Sequence, residues 1–460
     1  MTDLVEVRPG VYHDSVTLMR VSQALTARPE VAVAVVAMGT DLNAGLARDL
    51  GFEVPPTTPG DLLVAIRAAT SADLGEAAAE LERQLATTGS GGGKARDEAP
   101  PRTVRSAARS WEATVALVSV PGEHAFAEAL DAVEAGLSVM IFSDNVPVEQ
   151  EILLKDRARA RGVLVMGPDC GTAVVGGAGL GFANVLRPGP VGVVAASGTG
   201  AQQVTCLLDI AGVGVSHVLG VGGRDLSAEV GGRSAVQALR ALDEDPATEL
   251  IVLVSKPPAP EAARAVRDLG LVTPVVAALL GPGQDDLTAV AEKALRALGR
   301  DVPEWPSWPA GEAPAREGRR PLRGLYSGGT LCAEAALIAG ADTTAEAGFV
   351  DFGDDAYTRG RAHPMIDPSL RREALRGVAS GVVLLDVVLG HGADPDPSSW
   401  LAPEVRDAVA RGVDVVVALV GADGDPQGLR AQAARLNEAG AAVFTSNAAA
   451  ARHARRLADG

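Results

Sequence analysis

Two short turns in this chain carry the residue types that hold anions. In Ser197-Gly198-Thr199-Gly200, a β-branched run (191–195) ends in a glycine-containing turn that opens a helical pattern. Unpaired N–H groups, the positive end of a helix and two hydroxyls then face one point, a geometry suited to phosphate. The same residues also read as an ordinary N-cap. The turn recurs as Ser327-Gly328-Gly329-Thr330 after the run 323–326. Two helix N-termini meeting at one anion would hold a doubly charged group with few basic side chains, which suits a chain with only four lysines.

Other loops offer groups to such a site. Gly167-Pro168-Asp169-Cys170 follows the run 163–166, and a turn at the carboxyl end of a parallel strand places backbone donors and Asp169 where α/β sheets bind ligands. Cys170 has no evident cation to lower its pKa, so it reads as part of a structural or binding turn. Arg224, in Gly222-Gly223-Arg224-Asp225, is placed to clamp a carboxylate or phosphate, or is simply a surface arginine. Lys256 ends the run 250–254, braced by Pro257 and Pro258, as an anion-binding candidate. His363, in a proline-rich loop with Asp367 at i+4, reads as a general base or donor oriented by that acid, or as a solvent-facing turn residue. His391 is a second candidate, and Asp386 interrupts an apolar strand where a carboxylate is costly unless bonded or functional. Metal-ligand spacing, a Walker A loop and a G-x-G-x-x-G fingerprint are all missing from the sequence.

Short β-branched runs alternate with Ala/Leu/Arg segments of helical period, which predicts an α/β protein built of several Rossmann- or flavodoxin-like parallel-sheet domains. Two stretches break the rhythm, 88–102 and 303–320, and read as linkers or exposed excursions. The expected divisions are a small N-terminal α/β unit (1–87), a Rossmann domain (103–187), and two flavodoxin-like domains (188–300 and 321–460). The last two look related. Thr273-Pro-Val-Val-Ala-Ala-Leu-Leu-Gly281 follows the first Ser-Gly turn much as Val413-Asp-Val-Val-Val-Ala-Leu-Val-Gly421 follows the second.

Charge narrows the functional classes. A net charge of −17 repels a nucleic-acid backbone. The apolar runs 31–38 and 415–420 are too short to span a bilayer, and three cysteines without a C-x-x-C pair suggest a reducing compartment. A cytoplasmic protein without membrane or nucleic-acid partners is expected.

From about residue 114 to 281 the chain resembles the α subunit of succinyl-CoA synthetase, through Pro121-Gly122, Ser143-Asp144-Asn145-Val146-Pro147, the Gly-Pro-Asp-Cys turn, the Ser-Gly-Thr turn, and Gly222-Gly223 with Asp225. The whole chain is similar to the FdrA family, through Met38-Gly39-Thr40, Ser255-Lys256-Pro257-Pro258, Tyr326 to Cys332, His363-Pro364-Met365-Ile366-Asp367-Pro368, Asp425-Pro426-Gln427 and Ser446-Asn447-Ala448. The synthetase resemblance implies a CoA-binding Rossmann domain, ligase domains and an acyl-phosphate intermediate. Two departures stand out: residues 274–300 contain no histidine to shuttle a phosphoryl group to a nucleotide, and no glycine-rich CoA phosphate loop precedes residue 113. CoA is therefore not expected with certainty.

The FdrA resemblance implies a subunit of a hetero-oligomeric oxamate carbamoyltransferase of allantoin catabolism, interconverting oxalurate plus phosphate with oxamate plus carbamoyl phosphate. On that implication Ser197, Gly198, Thr199, Gly200, Ser327, Gly328, Gly329 and Thr330, with Asp169 and Asn447, bind phosphate and substrate, while His363, Lys256 and Arg224 act in catalysis. A nucleotide-dependent acyl-CoA synthetase subunit and a non-catalytic binding subunit are the alternatives.

Overall fold

The computed structural model describes every residue except 12, 14, 89–100, 102, 311–317, 342–347 and 359–360. Most of the first excursion and the middle of the second lie outside the described residues.

The N-terminal unit runs β1 (Thr2–Arg8), α1 (Ser15–Thr26), β2 (Val31–Met38), α2 (Asp41–Asp49), β3 (Leu62–Ala68) and α3 (Ser71–Thr88). Its sheet has the order β1-β3-β2, and β3 is antiparallel to both neighbours. Parallel strands, expected from the βα rhythm, do not occur here. Period-two alternation along β3 divides the core between the two faces of the sheet. Leu62, Val64 and Ile66 pack with Leu18, Leu25 and Leu81 of α1 and α3, whereas Leu63 and Ala65 pack with Ala47 and Phe52.

The second unit comprises Arg102–Tyr357 and His363–Gly460. It begins with α4 (Val104–Ser110), β4 (Val115–Val118), α5 (Gly122–Glu134), β5 (Ser138–Ile141), α6 (Val148–Arg161) and β6 (Val165–Met166), which form a three-stranded parallel sheet. A hairpin follows: β7 (Thr172–Val175) and β8 (Ala178–Gly181) joined by Gly176-Gly177. Both glycines have positive φ (56° and 82°), as a tight two-residue hairpin turn requires.

The first lobe is β9 (Pro188–Ala195), α7 (Gly198–Ile210), β10 (Val215–Gly220), α8 (Arg233–Asp243), β11 (Leu250–Ser255), α9 (Pro260–Arg267), β12 (Val275–Leu279) and α10 (Leu287–Ala297). The second is β13 (Ser307–Trp308), β14 (Leu322–Tyr326), α11 (Gly329–Ala339), β15 (Phe349–Asp351), α12 (Asp355–Thr358), α13 (Ser369–Arg376), β16 (Gly381–Val388), α14 (Pro397–Ala410), β17 (Val413–Val420), α15 (Leu429–Glu438), β18 (Ala442–Phe444) and α16 (Asn447–Asp459). Residues 307–308, inside the second excursion, are thus an edge strand rather than a linker.

The two sheets share a plan. Their orders contain β12-β11-β9-β10 and β17-β16-β14-β15, in each case four parallel strands in the sequence fourth, third, first, second. The first lobe adds the β7–β8 hairpin beside β10; the second adds β18 and β13 beyond β17. Every residue of β16 is buried, as expected of a central parallel strand covered on both faces by helices. Eight consecutive buried positions should read as uniformly apolar, and only Asp386 departs.

Candidate functional site

Each Ser-Gly turn follows the first strand of its lobe and opens the next helix. Ser197 caps α7 by accepting from the Gly200 N–H at 3.0 Å, and its hydroxyl donates to Thr330 Oγ1 of α11 at 2.6 Å. A Cβ added at Gly328 would stand 2.7 Å from Thr199 Oγ1, and one at Gly200 would stand 3.1 Å from Thr330 Cγ2. The two helix N-termini therefore face one another and touch. Contact at this range leaves no phosphate-sized gap between Ser197 and Thr330.

The turns are not equivalent. Ala195 pairs with Val254 in the first lobe and Leu325 with Leu385 in the second, so Ser255 and Asp386 occupy corresponding positions. Asp386, fully buried, accepts from Ser327 N (2.8 Å), Ser327 Oγ (3.0 Å) and Gly328 N (2.9 Å). Arg371 of α13 neutralises it at 3.0 Å and also donates to Leu325 O and Asp386 O. The second turn thus holds an anion of its own, and Ser327 and Gly328 are not open donors for phosphate. The sequence marks Asp386 as an acid in need of partners, but does not give Ser327 and Gly328 as those partners, because they lie 59 and 58 residues away. In the first lobe the corresponding residue is the neutral Ser255, followed by exposed Lys256.

Three groups gather beside the second turn. A Cβ added at Gly353 would meet Ser327 O at 2.5 Å, His363 Nε2 at 3.0 Å and Asp351 Oδ1 at 3.1 Å. One at Gly329, the first residue of α11, would collide with Asp351 Oδ2. Burial pushes Asp351 up to about 6, although the Gly353 N–H and the Lys256 charge favour its ionised form. Burial, with the Arg371 charge, pushes His363 down to about 4, so its ring is neutral near pH 7. Met365 N donates to His363 Nδ1 at 3.2 Å, which leaves the proton of the neutral ring on Nε2. At this face His363 is a donor rather than a base. Asp367 does not orient it: its carboxylate accepts from Ser369 N instead. The group able to exchange a proton near neutrality is Asp351, which the sequence did not single out; a lone acid ending a three-residue strand carries little signal.

The remaining sequence candidates are placed as follows. Arg224 donates to Val146 O and pairs with buried Glu151 at 2.9 Å, so it joins the ion network of Lys155, Glu151 and Asp225 rather than clamping a ligand. Asp169, exposed and at φ 57°, stands against the Gly222-Gly223 loop, where its Oδ2 would be 3.6 Å from a Cβ at Gly223. Cys170 is buried, and desolvation raises its thiol to about 12, which removes it as a nucleophile. Asn447 is fully buried and committed to Tyr326, Leu331, Glu334 and Gln203, so it braces α11 from beneath instead of reaching a ligand. His391 contributes its backbone to a bridge with Ala183.

That bridge belongs to a contribution missed in the sequence, the segment after the β7–β8 hairpin. Phe182 lies 5.5 Å from the His363 ring, and Asn184 donates to Leu389 O and Asp425. Gly176-Gly177 between apolar residues was the available signal.

None of β4, β5 and β6 leads into a glycine-rich loop opening a helix, and the start of α5 is filled by the chain itself, since a Cβ at Gly122 would collide with Asp144 O.

The chain is similar to several known proteins. Residues 1–101 match the family described as AllF, heavy metal-associated domain, and residues 325–457 match the CoA-ligase family. The chain is 34% identical to the uncharacterized protein YahF of Escherichia coli, over 97% of each chain. It is 31% identical to the succinate–CoA ligase [ADP-forming] subunit alpha 2 of Archaeoglobus fulgidus over 34% of this chain, and spans about half (54%) of that relative. A dinucleotide-forming acetyl-coenzyme A synthetase from Ca. Korarchaeum cryptofilum, solved with phosphate and ADP, aligns over 82% of this chain and 90% of its own at 19% identity and a TM-score of 0.33. The heavy-metal description does not fit the residues present. Residues 1–101 contain no cysteine, and among the described residues no group of three His, Cys, Asp or Glu is placed to hold a metal ion. No described helix is long and apolar enough to cross a membrane. CoA-ligase-like in its second lobe and aligned with YahF over nearly its whole length, the chain belongs to the FdrA family.

Proposed function

We propose that this CoA-ligase-like chain is a subunit of a carbamoyltransferase that handles carbamoyl phosphate, in the direction oxalurate plus phosphate to oxamate plus carbamoyl phosphate. The observation that carries the reading is the junction of two Ser-Gly helix N-termini within one chain, linked by Ser197 and Thr330. In this scheme Gly198 and Thr199 of the first turn hold phosphate, with Lys256 offsetting its charge, and the second turn aligns the first. A phosphate oxygen attacks the carbamoyl carbon of oxalurate, and the C–N bond to the oxamate nitrogen breaks. Asp351, when protonated, supplies the proton that the leaving nitrogen needs, while the Nε2–H of His363 supports the oxyanion at the carbamoyl carbon.

The absence of histidine from residues 274–300 favours a phosphorolytic reaction over phosphoryl transfer to a nucleotide. The purified chain, combined with its partner subunits, should release carbamoyl phosphate from oxalurate and phosphate; no release under any combination overturns the proposal. An acid–thiol ligase subunit is the second reading, supported by the CoA-ligase match at residues 325–457. Formation of an acyl-CoA coupled to ADP or GDP would select it.

A further inference from the structure

The two lobes differ at one sheet edge. In the second lobe the outer side of β17 is covered by β18, which pairs with it in parallel, and β13 pairs beyond that. Among the described residues the corresponding strand of the first lobe, β12, pairs only with β11 and ends its sheet. Its residues are correspondingly open: Val275 is 40% exposed, Ala277 is exposed, and Val272 just before the strand is 91% exposed. Natural edge strands are commonly guarded by lysine, an inward charge or a bulge. Here the whole stretch 269–284 carries no charged residue, in a chain where 22% of residues are charged. Pro274 and Pro282 bracket the strand and leave Val275–Leu279 free to pair.

We propose that β12 is the dimerisation edge of this protein, pairing antiparallel with β12 of a second copy to join two first-lobe sheets. Net charge argues for this placement. Two copies that each carry −17 repel over most of their surfaces, and the neutral strip 269–284 is where such bodies approach at least cost. A strand that pairs with itself around a two-fold axis sets residue i against j and j against i, and because all five residues of β12 are apolar every such pair is apolar, the self-complementarity a symmetric dimer needs.

Mass determination by light scattering on the full chain tests the proposal, together with amide hydrogen exchange at high and low concentration. A dimer is expected, with Val275–Leu279 amides protected in a concentration-dependent manner. With Ala277 at the centre of the pair, Ala277→Lys should weaken the dimer at least about tenfold, because two like charges then face across the two-fold axis, and Val275→Lys, which sets an ammonium group against the apolar Leu279 of the second copy, should weaken it as well, while circular dichroism and melting of the monomer stay unchanged. A chain that is monomeric at every concentration overturns the proposal. So does a dimer indifferent to both substitutions, or an edge that pairs only with a different subunit.

Discussion

Ser197 Oγ donates to Thr330 Oγ1 over 2.6 Å, joining residues 133 positions apart, one at the turn of each lobe. Close contact at this point makes the alignment of the two helices sensitive to small additions. Gly328 has an ordinary φ of −113°, so an alanine there meets no backbone penalty, and the three atoms nearest its new Cβ all belong to Thr199, from 2.7 Å. Gly328→Ala should therefore cost about 1–3 kcal/mol in urea unfolding, and Thr199→Gly in the same chain should recover most of it. Additive effects in this double-mutant cycle would mean that the lobes do not meet there in solution.

Asp386 and Arg371 form a buried pair beneath the second turn. Removing one partner leaves the other charge uncompensated, so Asp386→Asn should destabilise by about 3–5 kcal/mol. The double change Asp386→Leu, Arg371→Met should cost far less than the sum of the single ones, as denaturant midpoints would report.

How much of this site the sequence disclosed depends on distance along the chain. The repeated Ser-Gly turns and the apolar runs preceding them are local patterns, and the structure has them at matching places in two sheets of the same order. What fills a turn is not local. Ser327 and Gly328 look free in the sequence because Asp386 lies on another strand, and Asn447 looks available because Tyr326 and Glu334 reach it only after folding. The i+4 spacing of His363 and Asp367 suggested an oriented imidazole, but the loop is not a helix, and the acid caps Ser369 instead.

Asp351 stands beside the junction with its carboxyl pushed up to about 6 by burial. Its ionisation places a negative charge next to any bound anion. Sulfate, whose own charge is constant in this range, should bind about two- to tenfold more weakly above pH 7 than below pH 5. Asp351→Asn should give a flat calorimetric profile; an unchanged pH slope in that variant would remove Asp351 from the site.

Stability should also follow pH through buried groups that act in opposite directions. Burial raises Glu334 to about 7, so its neutral form is favoured on folding; its contribution is complete below about 4.5 and is lost as pH rises through 7. A loss of roughly 3 kcal/mol between about pH 5 and 8 is expected from this group, and Glu334→Gln should flatten that limb. His363, pushed down to about 4, acts in the other direction, its contribution present above 6.5 and lost as pH falls toward 4. Asp351, raised by burial to about 6, also loses its contribution as pH rises toward 6 and offsets His363 there, so the fall in denaturant midpoint between about pH 6 and 8 is the part that Glu334→Gln should remove.

Because both turns belong to a single polypeptide, the local concentration of one at the other is fixed by covalent connection. Diluting the protein cannot pull them apart, so the affinity of the junction for a small anion should be the same at nanomolar and at micromolar chain.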